Sequence, residues 1–291
     1  MKQYVVALKT LPIWKGRKIK ISPLKGGMTN HNYLVKMGKK IYVARFAPDT
    51  LKYLELSRPK EIYNYRIAFS LGLGARITAY YPRQRLLIIE YLPGKILTPK
   101  KAKTLLRIKK IAHLLRSLHR GPKLKGNLSS FDRIRRYISF AERRRIRLPK
   151  DINLHLETLT KIEERLEAGR KTTPCHLDLM LENILETPSG KLKLLDWEYS
   201  GNADPRYDLA MFSIKASLDL KKDEFLVKVY LGKNEPRFYE AMQIMKAVVY
   251  FAEGAYGLIQ LAISKKKGID YKKYADENIG EFKRISLFYD F

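Results

Sequence analysis

A single cysteine, Cys175, stands in the whole chain. That excludes an intramolecular disulfide and fits a reducing, cytoplasmic setting. A lone small thiol beside a polar motif reads as a buried packing residue rather than a nucleophile. No apolar run approaches the ~20 residues that a membrane-crossing helix needs, so no transmembrane segment is expected. The opening Met1-Lys2-Gln3-Tyr4-Val5-Val6-Ala7-Leu8-Lys9 has too short an apolar core for a signal peptide and no small-residue cleavage site. Internal repeats and low-complexity segments are also missing. The spacing G-x-x-x-x-G-K-[ST] does not occur, which excludes a Walker-type phosphate loop.

Acidic residues are scarce: 29 Asp and Glu stand against 58 Lys and Arg, a formal net charge of +29. Such a surplus attracts polyanions nonspecifically. The basic residues are spread along the chain, with short clusters at 143–145 and 265–267. Neither cluster is interleaved with aromatics in the way single-strand platforms require, so a solvated basic surface is the preferred reading. The same charge would speed the approach of a nucleoside triphosphate, an effect that salt suppresses. With 45% hydrophobic residues over 291 positions, the chain can bury a large core. Two lobes of one catalytic unit are expected from that length.

The richest stretch is Cys175-His176-Leu177-Asp178-Leu179-Met180-Leu181-Glu182-Asn183, followed by Leu194-Leu195-Asp196-Trp197-Glu198-Tyr199. Thr187-Pro188-Ser189-Gly190 supplies a turn that folds the two segments together. The spacing H-x-D-x-x-x-x-N with a following strand-borne Asp is the kinase pattern. Phosphoryl transfer from Mg-ATP needs a carboxylate to orient a hydroxyl and take its proton, which suits Asp178. It also needs hard oxygen ligands for a divalent ion, which suits Asn183 and Asp196. Glu198 adds negative potential that would favour a second Mg2+ or a cationic substrate, with Tyr199 beside it. The plainer reading, unrelated loop polars, does not account for the His two residues before the first acid or for the turn that joins the segments.

Along the chain, short β-type runs occupy 18–24, 31–37 and 40–46, with Gly38-Lys39 turning the second into the third. A helix is expected over 58–71, and a second hairpin over 76–81 and 85–91 across Pro82-Arg83-Gln84. Leu92-Pro93-Gly94 breaks the pattern and is the expected hinge between a lobe of residues 1–92 and one of 93–291. The second lobe reads as helical at 98–119, 130–145, 150–168, 205–217, 224–231, 235–264 and 270–287, interrupted by the hairpin at 173–196. The fold class is therefore α+β. Between the first two strands, Leu24-Lys25-Gly26-Gly27-Met28-Thr29-Asn30 allows main-chain N–H groups to face phosphate oxygens, with Thr29 and Asn30 adding polar side chains.

Residues 24–46 and 173–212 carry a resemblance to the choline/ethanolamine kinase family, within the wider group of aminoglycoside phosphotransferases and thiamine kinases. Asp196-Trp197-Glu198-Tyr199 followed by Asp204-Pro205-Arg206-Tyr207-Asp208-Leu209-Ala210 is most similar to bacterial choline-kinase-like sequences. The resemblance implies a two-lobe protein-kinase-like fold, with a small antiparallel β lobe and a larger helical lobe, and ATP and Mg2+ as cofactors. It makes Arg45 the phosphate-pairing basic residue, with Glu61 as its partner, and places the adenine edge at Glu90, Tyr91 and Leu92. It gives His176 a bracing role and Asp208 a role in fixing the catalytic loop or capping the following helix. The implied activity is phosphorylation of a small-molecule hydroxyl on choline, ethanolamine or a related amino alcohol. Thiamine, an aminoglycoside, a nucleoside or a sugar are the alternative acceptors. A non-catalytic polyanion binder of kinase shape is the alternative of another class, disfavoured because a binder has no need of metal ligands. Absence of Ala-Pro-Glu, and the short run after Asp196, argue against a protein kinase.

On the substrate side the chain departs from the family. A cage for an alkylammonium ion needs aromatic faces and a carboxylate. By resemblance, two aromatics three apart are expected at positions held here by Glu253 and Tyr256, and a family Glu is replaced by Lys215. Lys215 would repel an ammonium ion unless it pairs with Glu253 or points away. Glu253 suits a primary amine better than a quaternary one.

Overall fold

The computed structural model describes residues 2–24, 30–264 and 268–291. Gly26, Gly27 and Thr29, expected at a phosphate turn, and the basic run 265–267 lie outside the described residues.

The chain begins with helix α1 (Lys2–Lys9) and then forms β1 (Lys20–Pro23), β2 (His31–Met37) and β3 (Lys40–Phe46). Helix α2 (Arg58–Ser70) leads into the hairpin of β4 (Ile77–Tyr81) and β5 (Leu86–Glu90). All five strands form one antiparallel sheet in the order β1-β2-β3-β5-β4. Gly38, at φ 57°, makes the β2–β3 turn, with Met37 opposite Lys40. Period-two alternation sorts the side chains of β3. Tyr42, Ala44 and Phe46 face an outer core with Leu8, Trp14 and Val35. Arg45, one residue out of phase, faces the other side, where α2 packs.

Helix α1 is an element the sequence reading lacks. Its eight residues are too few for periodicity to declare, and it is held because Leu8 inserts into that outer core, fully buried.

After β5 the order is β6 (Lys95–Ile96), α3 (Pro99–Ala102), α4 (Leu105–His119), α5 (Ser130–Arg143), α6 (Ile152–Glu167), β7 (Thr173–Cys175), β8 (Ile184–Glu186), β9 (Leu192–Leu194) and β10 (Gly201–Ala203). Helices α7 (Pro205–Ala216), α8 (Leu220–Leu231), α9 (Pro236–Ile263) and α10 (Tyr271–Phe288) complete it. The single helix expected over 98–119 is two. Thr104 donates its hydroxyl to Lys101 O (2.9 Å) and takes extended backbone, ψ 141°, which stops α3 and starts α4. Helix α8 starts at Leu220 rather than at 224, because Asp219 accepts the Lys222 N–H (2.9 Å) as an N-cap. The main core runs from α2 through α4 to α9 and α10, with Trp197 fully buried within it. Gly94 lies against β8 so closely that a Cβ there would meet Glu186 O at 2.5 Å, so a side chain would part the chain from the hairpin of β8 and β9.

Candidate active site

Two non-glycine residues of the hairpin at 173–196 adopt left-handed backbone: Leu177 at φ 63° and Asp196 at φ 60°. Each such conformation costs about 1–3 kcal/mol and persists only where surrounding groups impose it. Asp208, fully buried at the start of α7, imposes the first. Its two carboxylate oxygens accept the backbone N–H groups of His176 (2.7 Å) and Leu177 (2.8 Å). His119 of α4 reaches the same carboxylate at 3.2 Å and Tyr230 OH at 2.8 Å. Asp208 thus fixes the loop, one of its two expected roles; Asp204 caps α7 by accepting Arg206 N–H (2.9 Å). His176 is fully buried, bonds Leu195 O at 2.9 Å and sets its ring edge-on against Trp197, 4.9 Å between centroids. Burial lowers its pKa, which keeps it neutral. It ties the loop to the segment after β9 that carries Asp196.

That bracing brings the three residues of the motif to one place. Asn183 Nδ2 donates to Asp178 Oδ2 (2.8 Å) and to Asp178 O (2.9 Å), so the amide nitrogen is turned inward and its oxygen is the free function. Asp178, Asn183, Asp196 and Glu198 all line one open cavity of about 280 Å³. Tyr199 and Tyr256 line it too, with Glu253.

Behind Asp196 lies a buried charge network. Arg45 pairs with Asp196 and, at 3.1 Å, with Glu61, while Glu198 stands at 3.8 Å. Glu61 also pairs with Arg58. The expected Arg45–Glu61 pair is therefore present, and Arg45 grips Asp196 in addition. Tyr65 OH accepts from Arg45 (3.3 Å) and from Asp196 N–H (3.3 Å), which holds the strained residue. Asn30, expected at a phosphate turn, is buried here instead. Its amide donates to Glu198 (2.8 Å) and its oxygen accepts from Arg58 (2.9 Å), so the side chain is engaged inside the protein. Only the fold could reveal Arg58 and Tyr65 in these roles, since neither stands in a recognisable spacing.

Lys215 and Glu253 do meet, at 2.9 Å, and Tyr274 of α10 donates to the same Oε2 of Glu253. Arg133 of α5 lines the cavity and lies over the rings of Tyr199 (5.6 Å) and Tyr207 (5.5 Å). Tyr137 and Tyr274 add two more aromatic walls. Sequence reasoning missed Arg133, Tyr137 and Tyr274, which sit on ordinary amphipathic helices and join the site only through packing.

At the expected adenine edge, Glu90 directs its N–H to Arg76 O (2.9 Å) and its carboxylate to Arg76 (3.0 Å from Nε). Tyr91 N–H bonds Ile41 O (3.1 Å). These donors are engaged in the sheet, so neither is available to a base; Leu92, after the last strand pair, is partly buried against the core.

The donor set fits a divalent ion. Burial, and then the field of Asp196, raises the Asp178 carboxyl to about 7 and Glu198 to about 8. Carboxyls raised in this way on either side of Asp196, beside a carboxamide oxygen, are a hard-oxygen set of the kind Mg2+ takes. Asp196, Glu198 and Glu61 oxygens lie within 4.8 Å of one another.

Comparison with known proteins gives the fold and the family. Protein LicA of Haemophilus influenzae is 24% identical over 256 residues, 85% of this chain and 94% of that protein. The solved structure of choline kinase LicA from Streptococcus pneumoniae superimposes with a TM-score of 0.84 over 98% of this chain and 99% of that one, at 24% identity. A choline/ethanolamine kinase family protein from Mesorhizobium loti gives 0.82 over 98% and 94%, also at 24% identity. Those likenesses show a two-lobe protein-kinase-like fold. A family model covers the region from the first strand of the sheet to the middle of α9, residues 20–244, and by that match the chain belongs to the phosphotransferase enzyme family.

Proposed function

We propose that the protein transfers the γ-phosphoryl group of ATP to the hydroxyl of a small amino alcohol of the choline and ethanolamine class. The observation that carries this reading is Asp178, fixed by Asn183, opening onto the same cavity as Asp196 and as Glu253, Tyr256 and Tyr274. A carboxylate at the phosphoryl end and a carboxylate with aromatic walls at the other suit a substrate with a hydroxyl and an ammonium group.

Asp178 orients the hydroxyl and takes its proton as the oxygen bonds to the γ-phosphorus. The bond from that phosphorus to the β,γ-bridging oxygen breaks, and ADP leaves. Asn183 and Asp196, with Glu198 behind them, would hold Mg2+. When bound, the ion neutralises phosphate charge as it develops. Arg45 stands beside Asp196 as the cation for the phosphates, and its guanidinium serves a phosphate and a carboxylate together.

Within the class, the geometry favours a primary amine. Among the described residues, Lys215 and Tyr274 both bind Glu253 Oε2, leaving Oε1 to accept from a substrate N–H. A quaternary ammonium has no N–H to give. The likeness to proteins named choline kinase supports the reaction class, and Glu253 supports the shift toward ethanolamine-like acceptors.

The test is ADP release by purified protein with Mg-ATP across ethanolamine, choline, thiamine, aminoglycosides, nucleosides and sugars. An amino alcohol should stimulate release most, and Asp178→Ala should lower turnover by about 10²–10⁴-fold with nucleotide binding kept. Failure of every acceptor to stimulate release would sink the reading.

A further inference from the structure

From residue 91 to residue 131 the chain contains no Asp or Glu, while eleven Lys and Arg occur. This is a longer one-sign tract than either of the short basic clusters at 143–145 and 265–267. The fold sets its first half on the surface, where Lys95, Lys100, Lys101, Lys103 and Lys109 are all exposed. Among the described residues none of these five pairs with an acid. Glu186, on the neighbouring strand β8, is taken by Arg107 (2.8 Å) and faces Lys110 at 3.9 Å. Because Glu186 also stands opposite Lys95 in the β6–β8 register, the short strand and the first turn of α4 form one continuous face.

In the middle of this basic face two leucines point at water. Leu105 and Leu106, the first residues of α4, are 57% and 54% exposed. A single exposed leucine is ordinary. Two adjacent ones at a helix start, encircled by unpaired lysines, form an apolar knuckle in a cationic ring. Lysines reach anionic headgroups while leucines enter the acyl boundary. Nucleic acid would use the lysines and leave the leucines in water, since base stacking requires aromatic rings. A second copy of the chain would bring two faces of surplus positive charge together.

We infer that the face formed by Lys95, Lys100, Lys101, Lys103, Leu105 and Leu106 docks the protein on an anionic lipid bilayer. Binding is peripheral and reversible, since two leucines and a handful of lysines are far from a spanning segment.

The experiment is co-sedimentation of the full chain with phosphatidylcholine vesicles containing about one-third phosphatidylglycerol, against pure phosphatidylcholine. The expected result is anionic-vesicle binding that drops by about tenfold or more as salt rises to about 0.5 M. Leu105→Ser/Leu106→Ser should weaken vesicle binding by about tenfold while leaving binding to single-stranded RNA unchanged. Lys100→Gln/Lys101→Gln/Lys103→Gln should weaken it by a similar factor. An unchanged melting temperature establishes that each variant is folded. Leu106→Trp gives a second readout, because Trp14 and Trp197 are both buried. Its emission should shift to the blue on anionic vesicles. No vesicle binding, or vesicle and RNA binding equally insensitive to loss of the leucines, overturns the inference.

Discussion

Lys215 Nζ on α7 sits 2.9 Å from Oε2 of Glu253 on α9, and Glu253 lines the cavity that Asp178 faces. The pair explains how a lysine can stand near a site that suits a cation: its charge is taken up by the acid beside it. Removing either member should move acceptor affinity in opposite directions. Lys215→Met frees the carboxylate and should lower the KM for ethanolamine-like acceptors by about threefold to tenfold. Glu253→Gln leaves the lysine bare and should raise it by about tenfold, the scale of one hydrogen bond to a charged group. Steady-state kinetics with ethanolamine and choline check both. A KM indifferent to either substitution would place the amine elsewhere.

Among the described residues, Arg45 is the one cation that touches Glu61 and Asp196 together, and it is nearly fully buried. Breaking a buried pair by deleting one partner costs roughly 3–5 kcal/mol, because the other charge is left uncompensated. Here two carboxylates are left, with Glu198 close by. Arg45→Met should therefore lower unfolding free energy by roughly that amount, and Mg2+ should raise its melting temperature more than it raises the parent's. Chemical denaturation and a melt with and without Mg2+ measure the two. A loss of only a few tenths would mean that the network is solvated and weak.

The residues of this network also show what a sequence carries and what it does not. Asp178, Asn183 and Asp196 were legible because they lie on one hairpin, where spacing and turn chemistry fix their meeting. The strands at 31–37 and 40–46 were legible because alternation and a Gly-Lys turn agree. Asn30 and Arg58 were not, since Asn30 meets the sequence-distant Glu198, and Arg58 meets Asn30, through side chains whose direction depends on how α2 packs. Tyr274 and Arg133 join the cavity from helices whose periodicity speaks only of burial. The break at Lys103-Thr104 was hidden because threonine is tolerated within helices and interrupts one only when its hydroxyl bonds back to the preceding turn.

His155 should make the protein sensitive to acid. It is buried between α6, α9 and α10, edge-on to Phe251 and Phe282, with Asp151 at 3.3 Å and Lys283 on the far side of that acid. Burial lowers its pKa and the Asp151 charge opposes that only in part. The unfolded chain therefore binds a proton near pH ~6.5 that the folded chain refuses. The His155 contribution to stability is full above that pH and is lost as pH descends toward the lower folded value. Asp178 and Glu198, raised to about 7 and about 8, pull the other way in parent and variant alike, so urea unfolding between pH ~8 and ~5 should show the parent losing stability relative to His155→Gln as pH falls. His155→Gln, which cannot take the proton, lacks this contribution and keeps those of His176, Asp178 and Glu198, which are common to both proteins. Parallel curves for parent and variant would exclude His155 as a source.

Gly257 offers a sharper test of how packing serves the site. A Cβ there would meet Ala275 Cβ at 2.9 Å and the Ala275 backbone at 3.1 Å, so α9 and α10 touch through the bare backbone of α9. Gly280, exposed on α10, has nothing within 4 Å of the same added atom. Helix propensity alone stabilises either Gly→Ala change by about 1 kcal/mol. At Gly280 that gain should appear undiminished. At Gly257 it is opposed by overpacking of about 1–3 kcal/mol, since backbone cannot rotate out of the way. The shift falls on Ala275, next to Tyr274, whose hydroxyl donates to Glu253 one turn before Gly257. Gly257→Ala should thus lose stability and raise the acceptor KM together, whereas Gly280→Ala raises the melting temperature and leaves KM alone. Two variants that behave alike would mean that the α9–α10 contact yields freely and that Tyr274 does not depend on it.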